Sequence, residues 1–396
     1  MSFLPSNERI PGVRQRHRLQ RQSGLQVSRR VLLIGARSTE AGDEYDFEAR
    51  RVRGRADSKA MYGAGSMLDL MVRAALMSGD IARFDRDPGG TPELYALAIP
   101  PAMGAEAAQI LTFTGQATNT GSVVIAANDH FVRVGVPQGA TAADIAAAAA
   151  LALARIAPDL AYTVEADNAD VLFSAREPGT WGEQLFIHAD TSEIAGIDAS
   201  VTRFTTGAGE LDLGEALATS MASDWDCVVL PESSATTRPA AKAHVADAWD
   251  YTNERYRLVV LGHTGALDEA IAQAGELDDW RIVLAHSEQT PGAGGTPWDR
   301  KRSARMHSFE LAAAVGARLY SQERANHNYN HAALAQVARP ATVARPALND
   351  AIGAGVTVVI QGERGESAVI LDPVTTYQTN AEGAPDTTYQ PVEVVK

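Results

Sequence analysis

The sequence predicts an α/β protein: a core on a mostly parallel, doubly wound sheet, an inserted β-rich domain, and extended arms at both ends. Three observations predict it. After Leu213, short apolar runs alternate with stretches of about 10–15 residues at helical spacing, the pattern of parallel strands joined by crossover helices. Between roughly Gln109 and Gly209 the pattern changes to short alternating runs separated by Gly, Asn and Asp. The first thirty residues are strongly basic, and near the other end the polar stretch TTYQTNAEGAPDTTY has almost no aliphatic side chain, so that stretch cannot bury enough apolar surface to fold alone.

In chain order, residues 1–30 form a basic arm. Val31–Ile34 is a buried strand ending at Gly35, and residues 36–60 are charged and loop-like. Ser66 caps a helix in which Met67, Leu70, Met71 and Ala74 recur on one face. Leu94–Ile99 is a second strand of the same sheet, which makes 31–105 the first part of the core. Residues 106–209 form the inserted domain, with runs such as ILTFTG, SVVIAA, FVRVGV and VLFSA. Its one helix, Ala142–Ile156, starts at Thr141 with Asp144 at the third helical position. The core resumes over 210–372. Helices are expected at Leu213–Met221, Ala240–Glu254, Leu267–Ala274 and Ser303–Tyr320, between strands Cys227–Leu230, Leu258–Leu261 and Ile282–Ala285. Residues 321–354, with Pro340 and Pro346, read as irregular. A hairpin follows, with Val356–Gln361 and Ala368–Leu371 joined at Gly362–Gly365. The C-terminal extension, 373–396, holds the polar stretch TTYQTNAEGAPDTTY and must lean on something else.

Composition excludes several classes. The 396 residues are 45% apolar and 21% charged, with no apolar run near the 18 residues of a membrane helix. The start, MSFLPSNERIPG, lacks the pattern of a signal peptide, so cytosolic synthesis is expected. A single cysteine, Cys227, excludes an intrachain disulfide framework and a cysteine metal cluster, and its place in DCVVLP reads as a buried strand thiol. The net charge of −14 is uneven. Seven arginines (Arg9, Arg14, Arg16, Arg18, Arg21, Arg29, Arg30) against Glu8 give residues 1–30 a charge of +6, leaving −20 on the rest. A basic arm on an acidic body suits docking on a neighbour's acidic surface or nucleic acid. The arm has no interleaved aromatics for base stacking, and the protein–protein reading is preferred.

No constellation of residues specifies catalysis, a cofactor or a metal. Gly35-Ala36-Arg37-Ser38 follows a strand without a dinucleotide fingerprint, and no phosphate-binding G-K-[ST] occurs. The glycines of Met61–Ser66 could cradle a phosphate but equally serve a tight turn, and Ser66 does not sit in a nucleophile elbow. His327 and His331 are four apart, the spacing of two zinc ligands on a helix, without a glutamate or a third ligand in pattern. His263 and His286 each end a strand and would project at the carboxyl edge of the sheet, where α/β sites form. Nothing singles out Ser233 or Ser287 as a nucleophile for them. The loop PGAGGTPWDRKR reads as a surface loop.

Short blocks along the chain resemble tail sheath proteins of contractile-tailed bacteriophages, in particular the Mu-like group. They are Ile10-Pro11-Gly12-Val13, VLLIGARS, YGAGSML at 62–68 (family F-G-x-G-S-M-L), and FTGQATNTGSVVIAANDHFVRVGV at 113–136. They continue with AREPGTWGE at 175–183 (A-R-x-x-G-x-x-G-N) and GAGELDL at 207–213 (G-A-G-x-P-D-L). The most specific is TTYQTNAEGAPDTTY at 375–389, close to T-T-Y-x-T-N-x-x-G-x-P-D-x-x-Y. Glu183 departs from the family's asparagine, and the arm is more basic. Family members continue into a tube-facing subdomain, whereas this chain stops at Lys396, as a shortened member or a fragment would.

The resemblance implies a virion protein rather than an enzyme, needing no cofactor. Its subunits would stack as hexameric rings around a tail tube and contract to drive it through the host envelope. Partners would be further copies of the chain, joined by strand exchange of the terminal arms, with the tail tube, baseplate and tail terminator proteins. No membrane insertion is implied. Assembly would take place in the host cytoplasm, with residues 106–209 decorating the outside. Two other readings stay open: an α/β enzyme using His263 or His286, and a basic-armed nucleic-acid binder.

Overall fold

The structure, a computed structural model, describes residues 29–42, 45–81, 92–128, 130–288, 306–321, 329–334, 343–361 and 368–395. Most of the basic arm, the loop at 291–302, His327 and the turn Gly362–Gly365 lie outside the described residues.

Nine strands form one mixed sheet. Six are parallel neighbours: β3 (Glu93–Ile99), β1 (Arg30–Ala36), β11 (Cys227–Val229), β12 (Leu258–His263), β13 (Ile282–His286) and β15 (Val356–Gln361). The two-residue β2 (Arg50–Arg51) closes one side antiparallel. β16 (Ala368–Ile370) and β14 (Ala332–Ala333) close the other. The central strands are buried on both faces, which is why they read as continuous apolar runs rather than alternation.

The helices fall into two groups. α2 (Met67–Ile81) packs on α7 (Ser308–Leu319), which lies against β12 and β11. α4 (Gly214–Ser220), α5 (Thr237–Ala248), α6 (Leu267–Leu277) and α8 (Arg345–Gly353) form the second group. All twelve residues of α7 are buried. Its alanines and Gly316 permit that close fit, since a Cβ on Gly316 would stand 2.7 Å from Val229.

Residues 108–205 carry seven further strands in two small sheets, β10–β4–β8–β7 and β6–β5–β9, all antiparallel. They run β4 (Ala108–Gly115), β5 (Gly121–Ala127), β6 (His130–Val136), β7 (Tyr162–Asp167), β8 (Asp170–Ala175), β9 (Ile187–Asp190) and β10 (Ile197–Thr205). The helix α3 (Ala142–Ala154) carries the expected capping box: the Asp144 N–H donates to Thr141 Oγ1 and the Thr141 N–H to Asp144.

Three expectations are corrected. Residues 36–60 are not a plain loop: they hold β2 and α1 (Arg55–Tyr62), which buries only Ser58 and Tyr62 and so leaves little apolar signal. Residues 321–354 are not irregular throughout: they hold β14 and α8, because Pro346 sits in the first turn of α8, where its missing N–H and fixed φ are tolerated. The helix expected at 240–254 is Thr237–Ala248, closing at Trp249.

Candidate functional site

His263 and His286 are the last residues of β12 and β13 and pair in register. Their Nδ1 atoms are 3.2 Å apart, so one ring donates to the other. His286 is fully buried, and desolvation, helped by His263, pushes its pKa down to about 3, so it stays neutral. Desolvation also lowers His263, against the pull of Glu269, whose carboxylate is 3.6 Å from Nε2. Nucleophilic catalysis needs a serine bonded to such a base. The Oγ atoms of Ser233 and Ser287 are buried and bond to nothing among the described residues. The imidazoles are brought together, but no nucleophile–base pair is.

The other candidates have structural roles. Ser66 caps α2, accepting from the Asp69 N–H at 3.2 Å. Cys227 is a buried β11 thiol. His331 occupies a left-handed turn (φ 59°) rather than a helix, its N–H bonding Ile370 O at 2.7 Å. Among the described residues no three His, Cys, Asp or Glu are placed to hold a metal ion, and no helix is long and apolar enough to cross a membrane. A cleft of about 550 Å3 is lined by Arg51, Arg53, Arg55 and Arg73. Three of these already hold acids: Arg51 with Glu93, Arg55 with Asp159 and Arg73 with Glu310.

The sequence blocks instead lie at joints. In YGAGSML, Gly65 takes φ 76°, and a Cβ there would stand 2.3 Å from Leu160 O of the β-rich region. Two residues on, the Met67 N–H at the start of α2 donates to Glu177 Oε2 at 3.3 Å, and Glu177 lies in the AREPGTWGE block. GAGELDL packs against the same block: a Cβ on Gly207 would meet Gly179 O at 2.2 Å, and the Thr180 N–H donates to Gly209 O at 3.1 Å. Polar side chains that sequence reasoning missed complete this seam. Arg73 Nη2 meets Glu310 Oε1 at 2.5 Å, and Tyr162 Oη lies 2.6 Å from His307 Nε2. The Ser308 N–H donates to Gln184 Oε1 at 2.7 Å.

Glu177 gives the seam a pH dependence. Burial pushes its carboxyl up to about 8, and Oε1 has no partner among the described residues. Between about pH 4.5 and 8 the folded chain therefore keeps a proton that the unfolded chain has lost, and stability falls as pH rises, by at most about 1.4 kcal/mol per unit. Glu177→Gln removes that slope. Its melting temperature should exceed that of the parent at pH 8, with a smaller difference at pH 5.

TTYQTNAEGAPDTTY docks at the amino end of the sheet. Thr375 and Thr376 are fully buried. The Thr376 N–H donates to Ile282 O (2.8 Å) at the start of β13, and its hydroxyl bonds Asp279 O at 3.0 Å. Asp278, in the left-handed position that ends α6 (φ 34°), accepts from the Gln378 N–H (2.6 Å), the Thr379 N–H (3.1 Å) and the Thr379 hydroxyl. The first part of the C-terminal extension therefore leans on its own core. Asp278 was missed because an acid after a helical run reads as a solvated end.

The described residues thus form mixed sheets with helices, joined by a buried polar seam. No family model matches the chain. Over 269 residues it is 23% identical to the Mu-like prophage FluMu tail sheath protein of Haemophilus influenzae, covering 66% of this chain and 52% of that protein. The chain thus spans about half the length of the curated relative it matches. Among solved structures it is similar to the sheath tail protein Lin1278 from Listeria innocua, at 12% identity and a TM-score of 0.47, covering 93% of this chain and 73% of that one. The resemblance to Mu-like tail sheath proteins holds in the sequence comparison.

Proposed function

We propose that the chain is a structural subunit of a contractile phage tail sheath, stacking as hexameric rings around the tail tube and contracting to drive it through the host envelope. The observation that carries this reading is the 269-residue similarity to a Mu-like tail sheath protein. The placement of the motif blocks supports it: they hold two bodies of one subunit together and anchor its closing stretch. In this reading 31–105 and 210–372 form a doubly wound core, with 106–209 as an outward-facing domain. The arms at 1–30 and 373–396 link neighbouring copies, the first by backbone strand addition, which tolerates small changes of angle, the second from its seat on its own core. Baseplate, tail tube and tail terminator proteins complete the partners, in the virion and, during assembly, in the host cytoplasm. No catalytic, cofactor or metal residues are assigned.

Electron microscopy of the full chain over a concentration series tests the reading. Rings or tubes that appear with concentration, and are lost on deleting residues 1–28, are the expected result. Monomers at every concentration would count against it.

A further inference from the structure

We propose that the cleft between the β-rich region and the carboxyl edge of the core sheet binds a guanidinium or alkylammonium group. The cleft measures about 390 Å3 and is lined by Thr180, Glu183 and Gln184 on one side and by Glu232, Ser233 and His263 on the other. That volume suits a small ligand.

Glu232 is the anchor. It is 8% exposed, and among the described residues its carboxylate has neither a hydrogen bond nor an ion pair. Beside it, Ser233 is also 8% exposed, with its Oγ buried and unbonded. Two adjacent residues, both more than nine-tenths buried, thus line one cavity with polar groups that no group among the described residues partners; the Glu232 carboxylate oxygens keep some accessible surface there. Native proteins rarely leave a fully buried polar atom such as Ser233 Oγ unbonded.

The charge around them selects the ligand. Glu183 lines the same cleft, and Glu210 adds negative field at Glu232. Glu269 lies beside His263. Among the described residues no lysine or arginine lines the cleft. The cation alongside, Arg238 of α5, is committed to Ser233 O at 2.7 Å and Glu276 at 2.8 Å. Among the described residues no three His, Cys, Asp or Glu are placed to hold one metal ion. A planar guanidinium, or an ammonium with a short alkyl stem, matches a carboxylate acceptor beside a hydroxyl. It would pair with Glu232 and place an N–H on Ser233 Oγ, in a desolvated setting that strengthens charge-assisted bonds.

Burial first, and then Glu210, pushes the Glu232 carboxyl up to about 7. A cation needs the ionised form, so binding displaces a proton. The ionised fraction falls from roughly nine-tenths at pH 8 to one-tenth at pH 6, and Kd should weaken about tenfold between them. The other titratable groups facing the site are Glu183, Glu210, His263 and Glu269.

The source of the cation is either a free small amine or an arginine side chain of a protein partner. Calorimetric titration of the full chain with agmatine, and separately with the peptide acetyl-Ala-Arg-Ala-amide, distinguishes them. Tighter binding of the peptide points to a side chain, and equal or tighter binding of agmatine to a free cation. In either case Glu232→Gln should weaken binding at least tenfold and flatten its pH dependence. Should Glu232→Gln not fold, Ser233→Ala and Glu183→Gln must each weaken binding. Absence of binding by both probes overturns the proposal, as does parental affinity or a retained pH dependence in Glu232→Gln.

Discussion

Replacing Arg73 by methionine is expected to destabilise the full chain by about 3–5 kcal/mol in urea unfolding. The Arg73 and Glu310 side chains are 3% and 4% exposed. Removing the guanidinium takes a charged partner from the buried Glu310 carboxylate, which also accepts from the His307 N–H at 3.2 Å. The arginine also reaches across the seam, with Nη1 3.3 Å from Asp159 O and 3.4 Å from His130 Nε2. Its loss should therefore loosen the β-rich region from the core as well as weaken the α2–α7 contact. The double variant Arg73→Met/Glu310→Met should recover most of the loss, because two apolar side chains of similar volume can replace a buried ion pair at little cost. A double-mutant cycle reads the coupling directly. A single-variant loss below about 1 kcal/mol, additive with the second, would show that the pair does not organise the seam.

Asp278→Ala should release the closing stretch locally. The substitution removes the acceptor for two backbone N–H groups and a hydroxyl, where bonds to a charged group are worth about 1.5–3 kcal/mol each. It also leaves alanine in a left-handed conformation, at about 1 kcal/mol more. Amide exchange at Gln378 and Thr379 should accelerate by roughly two orders of magnitude, corresponding to at least about 2.7 kcal/mol of local opening. Asp278→Asn, which keeps an acceptor and tolerates that backbone, should fall between. Unchanged protection at both amides would mean that Thr376 and its bonds to Asp279 hold the segment unaided.

The strands at 31–34, 227–230, 258–261 and 282–285 were legible because parallel strands covered on both faces must be apolar throughout. Ser66 and Thr141 were legible because a helix cap is a local signal. What escaped depends on partners distant in sequence. Arg73 and Glu310, 237 positions apart, each look like a surface residue until α2 and α7 meet. Glu232 is an ordinary loop acid in sequence, and only the folded chain shows it to be 8% exposed in a cleft shared with Thr180 and Gln184. Helix α8 escaped for a different reason: a proline in the first turn and a proline that breaks a helix are the same letter. The closing stretch was read as needing support from outside itself, but the groups that hold it were not visible, because the bonds run to main-chain atoms of β13 and to an aspartate about a hundred residues earlier.

The glycine-lined crossing at residues 104 and 208 has a kinetic consequence. A Cβ on Gly104 would stand 2.0 Å from Ala208 O, and the Ala208 N–H donates to Ala105 O at 3.0 Å. The chain thus leaves and returns at one point. Yet β3 and β11 must both pair with β1, although more than 120 residues separate them. If the intervening sheets fold first, the crossing shortens that connection to about 25 flexible residues and lowers the entropic barrier to sheet closure by about 1.4 kcal/mol. The β-rich region then acts as a splint, making completion of the central sheet roughly tenfold more probable per attempt.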